Sequence, residues 1–194
     1  MKKLLVILLF PLTCICQDTK IYSTRILEGY QEKIDSINDY LYDLVINYRL
    51  ENAKSHLKID KTYEYSCLNH CNYMIEETNI QDSRGILSHK ENNKKNPYYT
   101  GHSFWDREKT NKFHGGENIV ITFLKSDEFL YRSNYEIALN IFTLWKESKL
   151  HNMNMLLDRH NTISSAISIG KRTHQLNNQE YICYLIYATQ TFHI

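Results

Sequence analysis

The pattern of apolar and polar residues between Asn134 and Leu157 predicts a deeply packed helix that ends close to a histidine. Ser133 and Glu136 have the spacing of a capping box, which satisfies free backbone amides in the first turn of a helix. The apolar stripe that follows is wider than a surface helix needs. It consists of Tyr135, Ile137, Ala138, Leu139, Ile141, Phe142, Leu144 and Trp145. We therefore expect a buried helix that presents His151 at an edge, just beyond its polar last turn.

Two more helices are predicted in the first half of the chain. One apolar stripe begins after Ser36, a candidate cap, and continues to Tyr48. Asp60 is a candidate cap for the next helix. The expected buried face of that helix consists of Tyr63, Cys67, Leu68, Cys71, Met74 and Ile75. His70 lies beside this face, so we expect it to be partly exposed or hydrogen-bonded.

The last third of the chain predicts β-structure. Residues 163–169 alternate isoleucine with small residues, which is typical of a strand with one apolar face. After a predicted loop from Lys171 to Glu180, residues 181–192 are apolar on both faces and need cover on both. Helices followed by such a hairpin predict an α+β fold, with helices above and below an antiparallel sheet.

Length and charge limit the domain count and the classes of partner. The 194 residues suffice for one domain with a substantial core. We place this domain at residues 36–194, after a polar segment, residues 17–35, that we expect to be a lead-in helix or a tether. A formal charge of +1, from 23 basic and 22 acidic residues, gives no field that attracts nucleic acid or anionic lipid.

The N-terminus has the features of an export signal. Lys2 and Lys3 precede an apolar run, residues 4–12, that is too short to anchor the chain in a bilayer. We expect cleavage near Cys16, so that residues 1–16 form a signal peptide; lipid attachment at Cys14 or Cys16 is the alternative. Either way the mature chain is predicted to be secreted, periplasmic or attached to the envelope, without a transmembrane anchor.

Three cysteines remain after this signal. Cys67 and Cys71 are four residues apart on a predicted helix, which is a poor geometry for an unstrained disulfide. Because the chain has no C-x-x-C motif, buried free thiols are favoured over a metal pair. Cys183 lies in the apolar strand and is expected to be a small core residue.

Residues 81–116 show little periodicity but contain aromatic residues and histidines. Phe104, Trp105 and Phe113 argue against simple disorder, because aromatic side chains in a loop normally pack onto something. The histidines of this stretch are His89, His102 and His114. At its end, Gly115 and Gly116 permit a tight turn that would position Glu117.

An ordered series of short motifs resembles one known family. The pieces are Ser88-His89, the "GENI" of residues 116–119, Trp145 with Ser148 and His151-Asn152, and the closing YATQTF of residues 187–192. In this order and with these intervals, they resemble the CAP superfamily, whose SCP domains include cysteine-rich secretory proteins, antigen 5 and pathogenesis-related 1 proteins. The resemblance is to the compact bacterial form and runs from about Ile37 to Phe192.

The resemblance implies a three-layer α-β-α sandwich with a central antiparallel sheet and a cleft. In the family, two histidines and two acidic residues line this cleft, and the histidines can hold a divalent metal such as zinc. Matched by motif, the histidines are His89 and His151, and the first acid is Glu117. Ser148 stands where the second acid belongs, and Leu150 replaces the usual glycine before His151.

Several functions are compatible with these residues. We favour binding of a lipid, a peptide or an envelope glycan in a cleft formed by His89, Glu117, Ser148 and His151, with residues 88–116 as part of its wall. The rival is a metal-dependent hydrolase, since two imidazoles and a carboxylate suit zinc and zinc-bound water is acidic. Glu117 would alternatively orient a histidine by a hydrogen bond. A Ser148–His151–Glu117 triad lacks a nucleophile elbow, and a purely structural module is a third alternative.

Overall fold

The computed structural model describes residues 20–81, 85–110, 115–176 and 179–194. The predicted signal peptide with Cys14 and Cys16 lies outside these residues, as do Phe113 and His114. Within the described part of the chain, no helix combines the length and apolarity needed to cross a membrane.

The sheet has five strands and the fold has six α-helices in the described residues. The strands are β1 (Lys20–Ile26), β2 (Lys58–Ile59), β3 (Gly115–Lys125), β4 (Thr162–Leu176) and β5 (Gln179–His193). The helices are α1 (Gln31–Glu51), α2 (Glu64–Ile80), α3 (Phe104–Glu108), α4 (Ser126–Tyr131), α5 (Asn134–Glu147) and α6 (Lys149–Leu156). Four strands pair antiparallel in the order β1-β4-β5-β3, and the short β2 pairs parallel with β4.

Helices cover both faces of the sheet, as the α+β prediction requires. Alternate residues of β5 enter different cores: Ile186 and Ala188 pack with α1, α5 and α6, whereas Leu185 and Tyr187 pack with α2. This alternation follows from the two-residue period of a strand, which sends successive side chains to opposite faces. The predicted three-layer α-β-α sandwich is therefore confirmed.

The lead-in segment differs from its prediction. Residues 20–26 form neither a helix nor a tether but strand β1, which pairs with β4. This pairing covers backbone groups that β4 would otherwise present at an open edge. Gly29, with φ +85, then redirects the chain into α1, which begins at Gln31 rather than after Ser36.

Helix α5 has the predicted capping box but a narrower buried face. The Ser133 hydroxyl accepts from the Glu136 amide, and the Glu136 carboxylate accepts from the Ser133 amide. Three residues of the predicted stripe are at least one-third exposed, namely Tyr135 (45%), Leu139 (37%) and Leu144 (38%). The extended backbone of Ser148 (φ −81, ψ 116) ends this helix. His151 therefore lies within a second helix, α6, and not beyond the end of the first one.

Helix α2 is preceded by a short 3-10 turn, Lys61–Tyr63. Asp60 caps this turn by accepting a hydrogen bond from the Thr62 amide (2.9 Å), rather than capping α2 directly. Cys67 and Cys71 are buried and not disulfide-bonded, as predicted. His70 is fully buried, which is more than the sequence predicted, whereas Leu68 is 38% exposed.

The C-terminal hairpin extends further than its pattern predicted. Most of the predicted loop, Lys171–Glu180, is strand, because β4 continues to Leu176 and β5 begins at Gln179. Cys183 is only half-buried, so its assignment as a core residue is partly wrong.

Candidate functional site

His89 and Glu117 form a hydrogen-bonded pair at one end of the sheet. His89 Nδ1 donates to Glu117 Oε2 over 2.8 Å. The Glu117 side chain is almost completely buried at the start of β3, whereas the His89 side chain is 52% exposed. Because a carboxylate can only accept, this bond places the Nδ1 proton on His89 and leaves Nε2 to interact with other groups.

The two glycines before Glu117 have a different role from the predicted turn. Gly115 and Gly116 already belong to β3. A Cβ atom at Gly115 would collide with the carbonyl oxygen of Phe192 on the neighbouring strand β5. Glycine is therefore needed for close strand packing, which fixes the position of Glu117 on the sheet.

Arg107 is a residue of this site that the sequence did not identify. Its Nη2 donates to Glu117 Oε1, and its Nη1 donates to the carbonyl oxygen of His89 (3.2 Å). Burial alone would raise the pKa of Glu117, but the Arg107 charge and the His89 hydrogen bond together lower the pKa below its ordinary value. Both carboxylate oxygens of Glu117 thus have partners, and the group is anionic.

A signal for Arg107 was present in the sequence. Ser103 and Asp106 form a capping box that starts the short helix α3, and Arg107 lies in this helix with its side chain almost fully buried. The spacing of Ser103 and Asp106 would have predicted this helix. It would not have predicted that the guanidinium reaches Glu117, because that contact is set by tertiary packing.

His151 approaches His89 from α6. The two imidazole ring centroids are 6.2 Å apart, with an interplanar angle of 57°. Asn118, next to Glu117 on β3, donates from Nδ2 to the carbonyl oxygen of His151 (3.1 Å) and ties α6 to the sheet. Burial and the neighbouring His89 lower the pKa of His151. The structure therefore brings together three of the four predicted site residues.

Ser148 is the fourth, and it does not join them. It lies at the break between α5 and α6, and its hydroxyl makes no hydrogen bond with His151 or Glu117 in the described structure. The oxygens of Glu117 are bound to His89 and Arg107 instead. The described hydrogen bonds therefore do not link Ser148, His151 and Glu117 as a triad.

A buried ionic chain extends from this site into the core beneath α2. Glu91, which is fully buried, lies 3.7 Å from Arg107 Nε and bonds His70 Nδ1 over 3.0 Å. Its other oxygen accepts from the amides of Thr100 (2.8 Å) and Gly101 (3.4 Å). Buried charges are tolerated only when they are paired in this way. Of the two expectations for His70, the hydrogen-bonded one is thus confirmed and the partly exposed one is wrong.

A second buried acid comes from α3 rather than from the Ser148 position. Glu108 Oε2 lies 3.6 Å from His193 Nδ1, and the His193 ring stacks on Tyr63 at a centroid distance of 4.1 Å. Burial raises the pKa of Glu108 to about 8 and lowers the pKa of His193 to about 4. At neutral pH Glu108 is therefore mostly a protonated acid, unlike Glu117.

The described side chains do not form a three-ligand metal centre. No group of three or more histidine, cysteine, aspartate or glutamate residues is placed to hold a metal ion within the described ranges. Glu117 is occupied by His89 and Arg107, so only the imidazoles of His89 and His151 would contact a metal. Catalytic zinc normally takes three protein ligands. The donor set therefore fits a two-imidazole site at most and does not fit a zinc centre of the hydrolytic type.

A cavity of about 250 Å³ opens beside His89. Residues from the 88–116 segment and the start of β3 line it, namely His89, Lys90, Ser103, Phe104, Trp105, Gly115, Gly116 and Glu117. The rings of Phe104 and Trp105 pack against each other with centroids 4.3 Å apart. The indole N–H of Trp105 is buried and has no hydrogen-bond partner among the described residues.

The chain was compared with curated proteins, with solved structures and with protein-family models. No curated protein matches the chain. The crystal structure of an extracellular SCP-domain protein from Bacillus anthracis str. Ames shares 17% identity and a TM-score of 0.47, over 84% of this chain. Our chain spans only 40% of that protein. An outer surface protein from Borrelia burgdorferi shares 11% identity and a TM-score of 0.46, over 88% of this chain and 98% of its own.

The family comparison is more direct than these structural similarities. The family described as CAP, the cysteine-rich secretory protein family, matches residues 42–187. The match includes α2, the residues of the candidate site and most of the β4–β5 hairpin. Because it extends over most of the sequence, this chain belongs to the CAP family.

Proposed function

We propose that this chain is an extracellular CAP-domain protein that acts by binding a ligand in the cleft beside His89, Glu117 and His151. The observation that carries the proposal is the cavity of about 250 Å³ next to a histidine whose Nδ1 is fixed by a buried carboxylate. A concave, partly apolar site with a few fixed polar groups is the usual form of a ligand pocket. Lipids, peptides and envelope glycans are the candidate ligands.

Binding suits this geometry better than covalent hydrolysis does. Glu117 is held on both oxygens by Arg107 and His89, so it is not free to attack a substrate or to take a proton from one. Ser148 has no base within hydrogen-bond reach among the described residues. What is left for a ligand is the Nε2 atom of His89, which can accept or donate one hydrogen bond.

The extracellular location is part of this proposal. It is supported by membership of a family described as secretory and by the expected signal peptide at residues 1–16. Expression of the full chain, followed by fractionation and sequencing of the mature N-terminus, tests it. A mature protein that retains residues 1–16 in the cytoplasm would contradict the proposed location.

The binding proposal is tested by a ligand panel with matched histidine variants. Wild type, His89→Ala and His151→Ala are titrated with a fatty acid, a tripeptide and a peptidoglycan fragment, and binding is measured by calorimetry. His56→Ala, at an exposed histidine outside the site, is the control. We expect at least one panel member to bind wild type and the control equally and His89→Ala about tenfold more weakly, which corresponds to about 1.4 kcal/mol. Equal binding to all four proteins would place the binding site elsewhere.

A metal-dependent hydrolase is the rival function, and one observation favours it. Glu117 holds His89 Nδ1, and a carboxylate that orients a histidine in this way commonly supports a metal bound at the other nitrogen. His89 and His151 would supply two imidazole ligands, one fewer than the three protein ligands that catalytic zinc normally takes. Metal analysis distinguishes the rival: stoichiometric zinc in wild type that is lost in both histidine variants would favour it. If the double variant His89→Ala, His151→Ala still binds a natural partner of the protein, the domain is instead a structural module.

A further inference from the structure

The cavity beside His89 has an apolar wall of limited size. Phe104 and Trp105 supply that wall, and the bare backbone of Gly115 and Gly116 forms part of the lining. Its volume of about 250 Å³ is below the range of about 300–1,000 Å³ that is typical of drug-sized ligands. The cavity therefore suits one apolar group about the size of a side chain, with any longer part of the ligand lying outside it.

The polar groups that line the cavity favour an anion. The ammonium of Lys90 forms no ion pair with any described residue. The acid of the lining, Glu117, has both carboxylate oxygens engaged, one by Arg107 and the other by His89. Within this lining, one unpaired cation and no unpaired carboxylate complement a negatively charged acceptor.

We propose that this cavity binds an apolar group that carries a carboxylate, with Lys90 pairing with the carboxylate and the Phe104–Trp105 wall receiving the apolar group. Such chemistry occurs at the C-terminus of a peptide that ends in an apolar residue, and also in small free acids such as 3-phenylpropanoate. The inference rests on the proposed binding function and specifies its ligand class. Ser103 is not counted as a ligand group, because its hydroxyl already donates to Asp106.

The test compares probes that differ only in charge. Acetyl-Ala-Ala-Phe with a free carboxylate, the same peptide as its C-terminal amide, and 3-phenylpropanoate are titrated against wild type, and Trp105 fluorescence is followed. Trp145 is completely buried in the core on the other face of the sheet and serves as a constant background. We expect the free peptide to bind about tenfold more tightly than its amide, because the amide cannot pair with Lys90. Equal affinities would overturn the inference.

Two lysine variants test whether the preference for the free carboxylate over the amide arises in the cavity. Lys90→Gln should bind acid and amide with equal affinity, whereas Lys94→Gln, at an exposed lysine outside the lining, should keep the wild-type ratio. A preference that survives in Lys90→Gln overturns the inference. Titration with 3-phenylpropanoate distinguishes the two possible ligands. If this acid binds as tightly as the peptide, the site recognises small acids. If only the peptide binds, the site recognises peptide C-termini.

Failure of the inference is distinguishable from failure of the proposed function. If none of the three probes binds, but a panel ligand binds in a manner that depends on His89, the ligand class is wrong and the cleft function stands. If a panel ligand binds wild type and all histidine variants equally, the cleft function fails. Raising the salt concentration provides a further check, since a pair formed at an exposed lysine should weaken as ionic strength rises.

Discussion

The two faces of the sheet are built by different physical means. The face covered by α1, α5 and α6 has the larger apolar cluster, centred on residues such as Ile141 and Trp145, and its buried Arg49 donates to backbone carbonyl oxygens. On the α2 face near the candidate site, buried positions are ionic or polar, with Glu91, Arg107 and Glu117 all fully or nearly fully buried. Both faces are thus stabilised by apolar burial, and the α2 face adds a buried network of paired charges.

This difference bears on the proposed binding function. Apolar burial stabilises the folded state by itself. A buried charge destabilises the folded state unless it is paired with an opposite charge. Here the network of paired charges fixes the Nδ1 proton of His89 at the edge of a cavity.

Removal of Trp145 should have the largest effect on stability. Its side chain is completely buried in the apolar core, so Trp145→Ala leaves a large cavity and should lower the free energy of unfolding by about 4 kcal/mol. Leu144→Ala, at a neighbouring residue that is 38% exposed, is the control and should lose less than about 1 kcal/mol. Urea denaturation measures both. Similar losses in the two variants would show that α5 is not the main packing element of that face.

Arg107→Met tests the ionic face. Methionine preserves much of the volume but leaves Glu117 and Glu91 without their shared cation, so we expect a loss of about 3 kcal/mol. Arg132→Met is the matched control, because Arg132 forms only an exposed pair with Glu128 (3.9 Å) and should change stability by less than about 1 kcal/mol.

A second arginine variant separates lost charge from lost packing. In the double variant Arg107→Met, Glu117→Gln the uncompensated acid at position 117 is removed. This change should recover part of the loss if the penalty comes from a buried charge. No recovery would mean that Arg107 acts through its packing, and the contrast between the two faces would disappear.

Glu108 makes stability depend on pH, with a sign that can be worked out. Its pKa is raised to about 8 in the folded state, against about 4.3 for an unfolded glutamate, so between these values the folded state binds more protons. Stability therefore falls as pH rises through this window. His193, with a pKa lowered to about 4, acts in the opposite direction between about pH 4 and 6.5. Between about pH 6.5 and 8, Glu108 therefore lowers the stability as pH rises, and His193 no longer compensates for it.

The measurement follows from this window. Wild type should lose roughly 1–2 kcal/mol of stability between about pH 6.5 and pH 8, because a tenfold change in proton affinity corresponds to about 1.36 kcal/mol. Glu108→Gln cannot ionise and should lack this slope. Denaturation at several pH values compares the two proteins. Parallel profiles would show that Glu108 does not carry the dependence.

The sequence predicted the apolar face better than the ionic one. Helix α5 follows from a local capping box and its period, and β5 follows from a run that is apolar on both faces. Strand β1 was missed because its partner, β4, lies far along the chain and leaves no local signal. His89, Glu117 and His151 were identified by family motifs rather than by periodicity. Arg107 and Glu108 were missed because their burial depends on tertiary packing.

Replacing the two serine caps should have the smallest effect on stability, and it compares one helix from each face of the sheet. Ser133 caps α5 on the apolar face, and Ser103 caps α3, the short helix that carries Arg107 and Glu108. Alanine at either position removes one cap and should lower the free energy of unfolding by about 1 kcal/mol or less. Only Ser103→Ala should also weaken the binding of cavity probes, because it loosens the helix that holds the Glu117 partner and the aromatic wall. Denaturation and probe titration are measured on both variants. If Ser133→Ala weakens probe binding as much as Ser103→Ala does, binding depends on the overall stability of the domain. If only Ser103→Ala weakens it, helix α3 positions the residues of the cleft.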